Sequence, residues 1–247
     1  MSKQFKGKPC VYCAGVNLSE TGDHVFAREF FLLAQRDNLP KVPVCNRCNR
    51  DKSQLEHYLT ALLPFGGRQT RASTNLTTMV PERLARNRKL HRELARGTEN
   101  IWTKEATGIY VRTSAVPFDG ERLEDLLTFI VRGLMWHHWQ VLIGANSFVD
   151  VLSLTARGER IFARYAGMNA TQRVENNLGD GTFVYNGMQG VDNPQVSVWE
   201  FSFFGGLKLA GDGITDECVK FGALTGPMYV KESADRKIKT GRFLVRA

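Results

Sequence analysis

Apolar positions along the chain fall into helical spacing in its first two thirds and into strict alternation in its last third. Leu55, Tyr58, Leu59, Leu62 and Leu63 repeat at helical intervals behind the capping-box pattern Ser53-Gln54-Leu55-Glu56, with Pro64 as a stop, which predicts a helix over 53–63. Residues 81–96, opened by Pro81 and closed by Gly97, predict a second helix. Only Leu84, Leu90 and Leu94 give it sizeable apolar surface, so it is largely solvated or lies against something acidic. Over 123–143 the pattern is apolar on nearly every side, yet it contains Glu124, Asp125, Arg132, His137, His138 and Gln140. A bilayer needs about 20 consecutive apolar residues, so this stretch reads as a buried helix and not as a membrane span. A further helix is expected over 148–165. Strand signals follow at 182–186, 196–204 and 207–210, separated by Gly179-Asp180-Gly181, Asp192-Asn193-Pro194 and Gly205-Gly206. In the middle strand, alternation puts Trp199, Phe201 and Phe203 on one face and Glu200 and Ser202 on the other.

Composition shifts near Gly66-Gly67 and again over 117–120, without an internal repeat. The expected organisation is α+β in three parts. Residues 1–66 form a small N-terminal module, 67–118 a basic linker and helix, and 119–247 an α+β domain with a small antiparallel sheet.

Charge sharpens that division. The 247 residues carry a formal +8. Residues 1–118 hold 19 Lys+Arg against 10 Asp+Glu, leaving 14 against 15 of the totals of 33 and 25 for the rest. An excess confined to one half is the expected footprint of a polyanion-facing surface.

Four of the five cysteines form two Cys-x-x-Cys pairs, Cys10/Cys13 and Cys45/Cys48, separated by 31 residues, and Cys218 stands alone. This pattern favours metal over disulfides, with four thiolates closing a tetrahedral zinc site that leaves no position open for substrate. A module of about 60 residues has little core, so a zinc staple suits it. No signal peptide fits the polar, basic opening, and a reducing cytoplasm is the expected location. Cys218 reads as an inert buried thiol.

Between and behind the pairs stand Asp23-His24-Val25, Asn38-Leu39 and Cys45-Asn46-Arg47-Cys48-Asn49-Arg50-Asp51-Lys52. Over about residues 8–63 this combination resembles the HNH endonucleases, the ββα-metal nuclease fold, in its four-cysteine zinc version. The resemblance implies a metal-dependent endonuclease acting on DNA. It implies that His24 is the general base, that Asp23 and Asn49 are ligands of a catalytic Mg2+ or Mn2+, and that Asn38 orients the base. Many members carry Pro two residues after the position of Val25, where this chain has Ala27.

Arg50 and Lys52 follow Asn49 closely enough to reach phosphate. Arg88, Arg92 and Arg96 form an i, i+4 stripe with Lys89 beside it, suited to the backbone of duplex DNA. Trp136-His137-His138-Trp139 reads as packed helix, and Glu56 as part of the capping box. For 119–247 the expected role is contact with a partner protein or a second copy of the chain, or choice of target. Two other functions share the same residues: a non-catalytic zinc-held nucleic-acid or protein-binding module, and a nuclease for RNA or branched structures.

Overall fold

The structure, a computed structural model, describes residues 3–104, 107–167, 170–210, 220–228 and 241–246. The chain is mixed α and β. It opens with a hairpin of β1 (Thr21–His24) and β2 (Lys41–Val44), paired antiparallel with Thr21 opposite Val44 and His24 opposite Lys41. Helix α1 (Asn46–Gly66) follows directly. Three shorter helices come next: α2 (Thr70–Thr78), α3 (Val80–Arg86) and α4 (Arg88–Gly97). Strands β3 (Glu99–Lys104) and β4 (Tyr110–Phe118) lead to α5 (Gly120–Trp139), β5 (Ser147–Leu154) and α6 (Ala156–Ala166). The last elements are β6 (Ala170–Leu178), β7 (Phe183–Gly190), β8 (Ser197–Phe203), β9 (Leu209–Ala210), β10 (Lys220–Pro227) and β11 (Gly241–Arg246).

Besides the hairpin, the described residues form two antiparallel sheets, ordered β5-β10-β8-β7-β6 and β3-β4-β11-β9. The alternation read for β8 holds: Trp199, Phe201 and Phe203 are buried, and Glu200 and Ser202 lie half-exposed on the other face. Gly187 on the neighbouring strand makes room for that face, since a Cβ there would lie 2.3 Å from the Trp199 ring.

One buried cluster runs from Cys10 to Ala223 and takes side chains from the hairpin, α1, α5 and the five-stranded sheet. Immediately after His24 the chain dives into it. Val25, Phe26, Phe30 and Phe31 are buried, with Phe26 4.5 Å from the Phe183 ring and Phe30 5.7 Å from Phe203. Helix α5 backs the hairpin so closely that a Cβ on Gly133 would meet Val25 at 2.9 Å. Its start is capped by Asp119, whose side chain accepts from the amides of Glu121 and Arg122. No helix among the described residues is long and apolar enough to cross a membrane.

Four element predictions need correction. Helix α1 begins at Asn46 behind Cys45, about two turns before Ser53, and continues through Pro64 to Gly66. Thus Ser53-Gln54-Leu55-Glu56 is helix interior and caps nothing. The helix read over 81–96 is two, broken at Asn87, whose side chain accepts from the Leu90 amide and starts α4 anew. The first part of 148–165 is strand β5, paired along its length with β10, and only the second part is helix. Strands β3 and β4 stand in a region read only as linker and helix. Cys218 lies outside the described residues.

Candidate functional site

The two Cys-x-x-Cys pairs converge. The four Sγ atoms all lie within 4.8 Å of one another. At about 2.3 Å per zinc–sulfur bond, ligands of a tetrahedral ion stand under 4 Å apart, so the cluster fits a metal with small adjustment. Local sequence explains each half. After Cys13 the chain turns back through Ala14 and Gly15, both at positive φ, and the Gly15 amide bonds to the Cys10 carbonyl. Cys45 is the N-cap of α1 and Cys48 sits in its first turn, three residues on, which puts both sulfurs on one side of the helix start. That helix end favours thiolates. Burial pushes the Cys10 and Cys48 thiols above their ordinary range. At Cys13 burial opposes ionisation but is outweighed by the Asn17 amide and the neighbouring cysteines, so its thiol is lowered. Among the described residues these are the only three or more His, Cys, Asp or Glu side chains so grouped.

Arg132 from α5 reaches across to the first pair and donates from Nη1 to the Tyr12 carbonyl at 2.7 Å. Burial lowers its guanidinium pKa, against the pull of Cys48, Cys13 and Cys10. The second half of the chain therefore completes the surroundings of the cysteine cluster.

Beside the cluster lies a charged group enclosed by protein. Lys52 is 1% exposed, and its Nζ stands 2.9 Å from Oδ2 of Asp23, donates to the His24 carbonyl at 2.8 Å, and pairs with Glu56. The Tyr12 hydroxyl donates to the same Asp23 Oδ2 at 2.9 Å. Burial, then the Asp23 carboxylate, hold the Tyr12 phenol well above its ordinary pKa, so it keeps its proton. Burial raises Glu56 to about 7 in spite of the Lys52 ammonium.

The predicted site residues are disposed as follows. Asp23 and His24 end β1. By strand alternation Thr21 and Asp23 share the face toward α1, and His24 turns to the other. On α1, Asn49, Lys52 and Glu56 follow at i, i+3 and i+7, one stripe of the helix. Since Lys52 meets Asp23, Asn49 lies one turn nearer the helix start on the same face. There it lines a cleft of about 450 Å3 together with Thr21, Glu20, Ser19, Asn46 and Lys6, a cleft that neither Asp23 nor His24 lines. Glu20 accepts the Asn46 amide at 2.7 Å.

His24 is half-buried; burial, then Lys41, Asp23 and Arg28 act on its imidazole, and the net effect is a lowered pKa. Asn38 occupies an exposed left-handed turn position, and among the described residues no hydrogen bond joins it to His24. Arg50 is exposed beside Asp51. Lys52 is enclosed by carboxylates, so a direct phosphate contact gives way to a structural role. Arg88, Lys89, Arg92 and Arg96 all stand exposed on α4, whose Leu90 and Leu94 are buried. His138 is packed, its Nε2 3.0 Å from the Tyr185 hydroxyl.

No family model, curated protein or solved structure matches the chain. The residues and their geometry therefore carry the functional reading alone.

Tyr12, Arg28, Lys41 and Arg132 are neighbours of these residues that the sequence does not single out, and Glu56 is one that it reads only as a cap. Tyr12 has one weak signal, its place inside the first cysteine pair. The other four depend on which elements pack together.

Proposed function

We propose that the chain is a metal-dependent endonuclease of the HNH type, hydrolysing DNA phosphodiester bonds with the N-terminal hairpin and helix as its catalytic module. The observation that supports this reading is the convergence of the four cysteines beside the hairpin that ends in Asp23-His24, with Asn49 one turn before Lys52 on α1. The four cysteines would hold zinc, a structural ion in a closed site. Asp23 and Asn49 offer hard oxygen donors for Mg2+ or Mn2+. Bound there, the ion would neutralise charge on the scissile phosphate and the departing oxygen.

The chain's own groups do the rest. His24, with its pKa lowered by burial and by Lys41, is neutral at physiological pH and accepts a proton from the attacking water. Lys41 and Arg28 flank it and attract the phosphate backbone. The exposed basic face of α4 adds contacts that position DNA without reading its sequence. In this role the full chain nicks or cuts supercoiled plasmid when Mg2+ or Mn2+ is added and stops in EDTA. Absence of cutting of duplex, single-stranded, branched and RNA substrates with either ion would remove the reading.

A second reading draws on Lys52. A carboxylate already paired with a buried ammonium and a tyrosine has a sufficient structural reason to exist. On that view the module binds nucleic acid without cutting it, and DNA binding of ordinary affinity with no cleavage would favour it.

A further inference from the structure

We infer that Tyr12 and Lys52 are positioning residues that fix the Asp23 carboxylate and tie the aim of its free oxygen to the cysteine cluster. This role rests on the part of the nuclease reading in which Asp23 takes a divalent cation.

Both partners land on one atom. The Tyr12 hydroxyl and the Lys52 ammonium each stand 2.9 Å from Oδ2. Among the described residues no protein donor takes Oδ1, and it is not an orphaned buried atom. A carboxylate held twice through one oxygen cannot swing about its χ angles, and its other oxygen is presented in a fixed direction as a single hard ligand. Arranging ligands in advance is how outer groups tune a metal site.

The two holding groups come from the two halves of the cysteine cluster. Tyr12 lies between Cys10 and Cys13. Lys52 is one turn along α1 from Cys48, on the helix that Cys45 starts. Each is further fixed from elsewhere. The Tyr12 ring packs edge-on against Phe129 of α5 at 5.0 Å, and Arg132 grips its carbonyl. Lys52 is held by Glu56 and by the His24 carbonyl. A shift of either cysteine pair therefore moves a group bonded to Asp23. The bond from Lys52 to the His24 carbonyl extends this to the backbone beside the imidazole.

The test is Mn2+ titration of the zinc-loaded full chain, following free Mn2+ by its EPR signal, with no DNA present. Tyr12→Phe keeps the ring and its contact with Phe129 and removes only the hydroxyl. It is expected to bind Mn2+ about tenfold more weakly, with zinc content unchanged and the chain still folded at the temperature of the titration. Asp23→Asn is expected to lose the site. Lys52→Arg, which keeps the charge but not the fit, should fall between the parent and Asp23→Asn. The positioning role is overturned if Tyr12→Phe binds Mn2+ as tightly as the parent, or if Asp23→Asn does. Should Mn2+ binding respond as stated while no substrate is cut, the positioning role stands and the nuclease reading falls.

Discussion

Lys52 shows how much a single residue's meaning depends on its surroundings. A lysine four residues after Cys48 on an amphipathic helix looks like a solvated phosphate contact, yet its ammonium is enclosed by Asp23, Glu56 and the His24 carbonyl. Removing one member of a buried ion cluster leaves uncompensated charge, at a cost of about 3–5 kcal/mol. Lys52→Met should lose that much in urea unfolding; a loss under about 1 kcal/mol would mean that the ammonium is not enclosed. The cysteine cluster, by contrast, is legible in the sequence, because two-residue spacing is a local property that survives any fold. Asp23 and His24 are legible as a pair, but their bonds to Tyr12 and Lys52 are not, since Lys52 reads as a phosphate contact and Tyr12 has only its place inside the first cysteine pair. His24 gives a second prediction at this scale. Its imidazole pKa is lowered by burial, then by Lys41, with Arg28 and Lys52 adding in the same sense and Asp23 opposing. On the nuclease reading, a lowered pKa keeps His24 neutral to more acid pH, so the acid limb of the cleavage profile should lie below the ordinary 6.5. A limb at or above that value would show that Asp23 dominates its surroundings instead.

At the scale of elements, local signals identify helices better than they place their ends. The true cap of α1 is a cysteine, which carries no capping signature, so the Ser-x-x-Glu pattern inside the helix attracts the start. Glu56, freed from that role, belongs to the ion cluster. Its carboxyl is raised to about 7 by burial. A carboxyl raised on folding contributes stability that is complete below its ordinary pKa of 4.5 and lost as pH climbs through 7. Glu56→Gln should remove that fall, so the difference in unfolding free energy between parent and variant should shift toward the variant as pH rises from the ordinary 4.5 past 7. A pH-independent difference would refute it. Strand β5 invites a helical reading because its apolar residues also fit helical spacing; pairing with β10, far along the chain, decides the matter. The contact of α5 with the hairpin is equally hidden. At Gly133 the helix has no side chain, and a Cβ there would meet Val25 at 2.9 Å. Gly133→Val should destabilise by about 1–3 kcal/mol through overpacking and reduce cleavage along with it, both read by thermal unfolding and plasmid assay. An unchanged midpoint would contradict the packing.

For the whole molecule, the uneven charge of the chain acquires a location. The +8 excess includes the exposed face of α4, with Arg88, Lys89, Arg92 and Arg96, and the pair Arg28 and Lys41 beside His24. Every side chain that neutralises a phosphate adds about 0.9 to the slope of log affinity against log salt. Changing Arg88, Arg92 and Arg96 together to Gln should flatten the salt dependence of duplex binding by two to three such steps, and an unchanged slope would remove α4 from the interface. The second half of the chain proves to be part of the module's support, through Arg132, Gly133 and the aromatic side chains of β7 and β8. That connection exists only in three dimensions and has no trace in composition. Single-turnover plasmid cleavage in Mn2+ decides whether His24 is the general base of a metal-dependent nuclease. The parent and His24→Ala should be compared at equal zinc content and thermal midpoint. His24→Ala should lose at least about 100-fold in cleavage rate with DNA affinity unchanged; cleavage at the parent's rate would show that His24 is not the base.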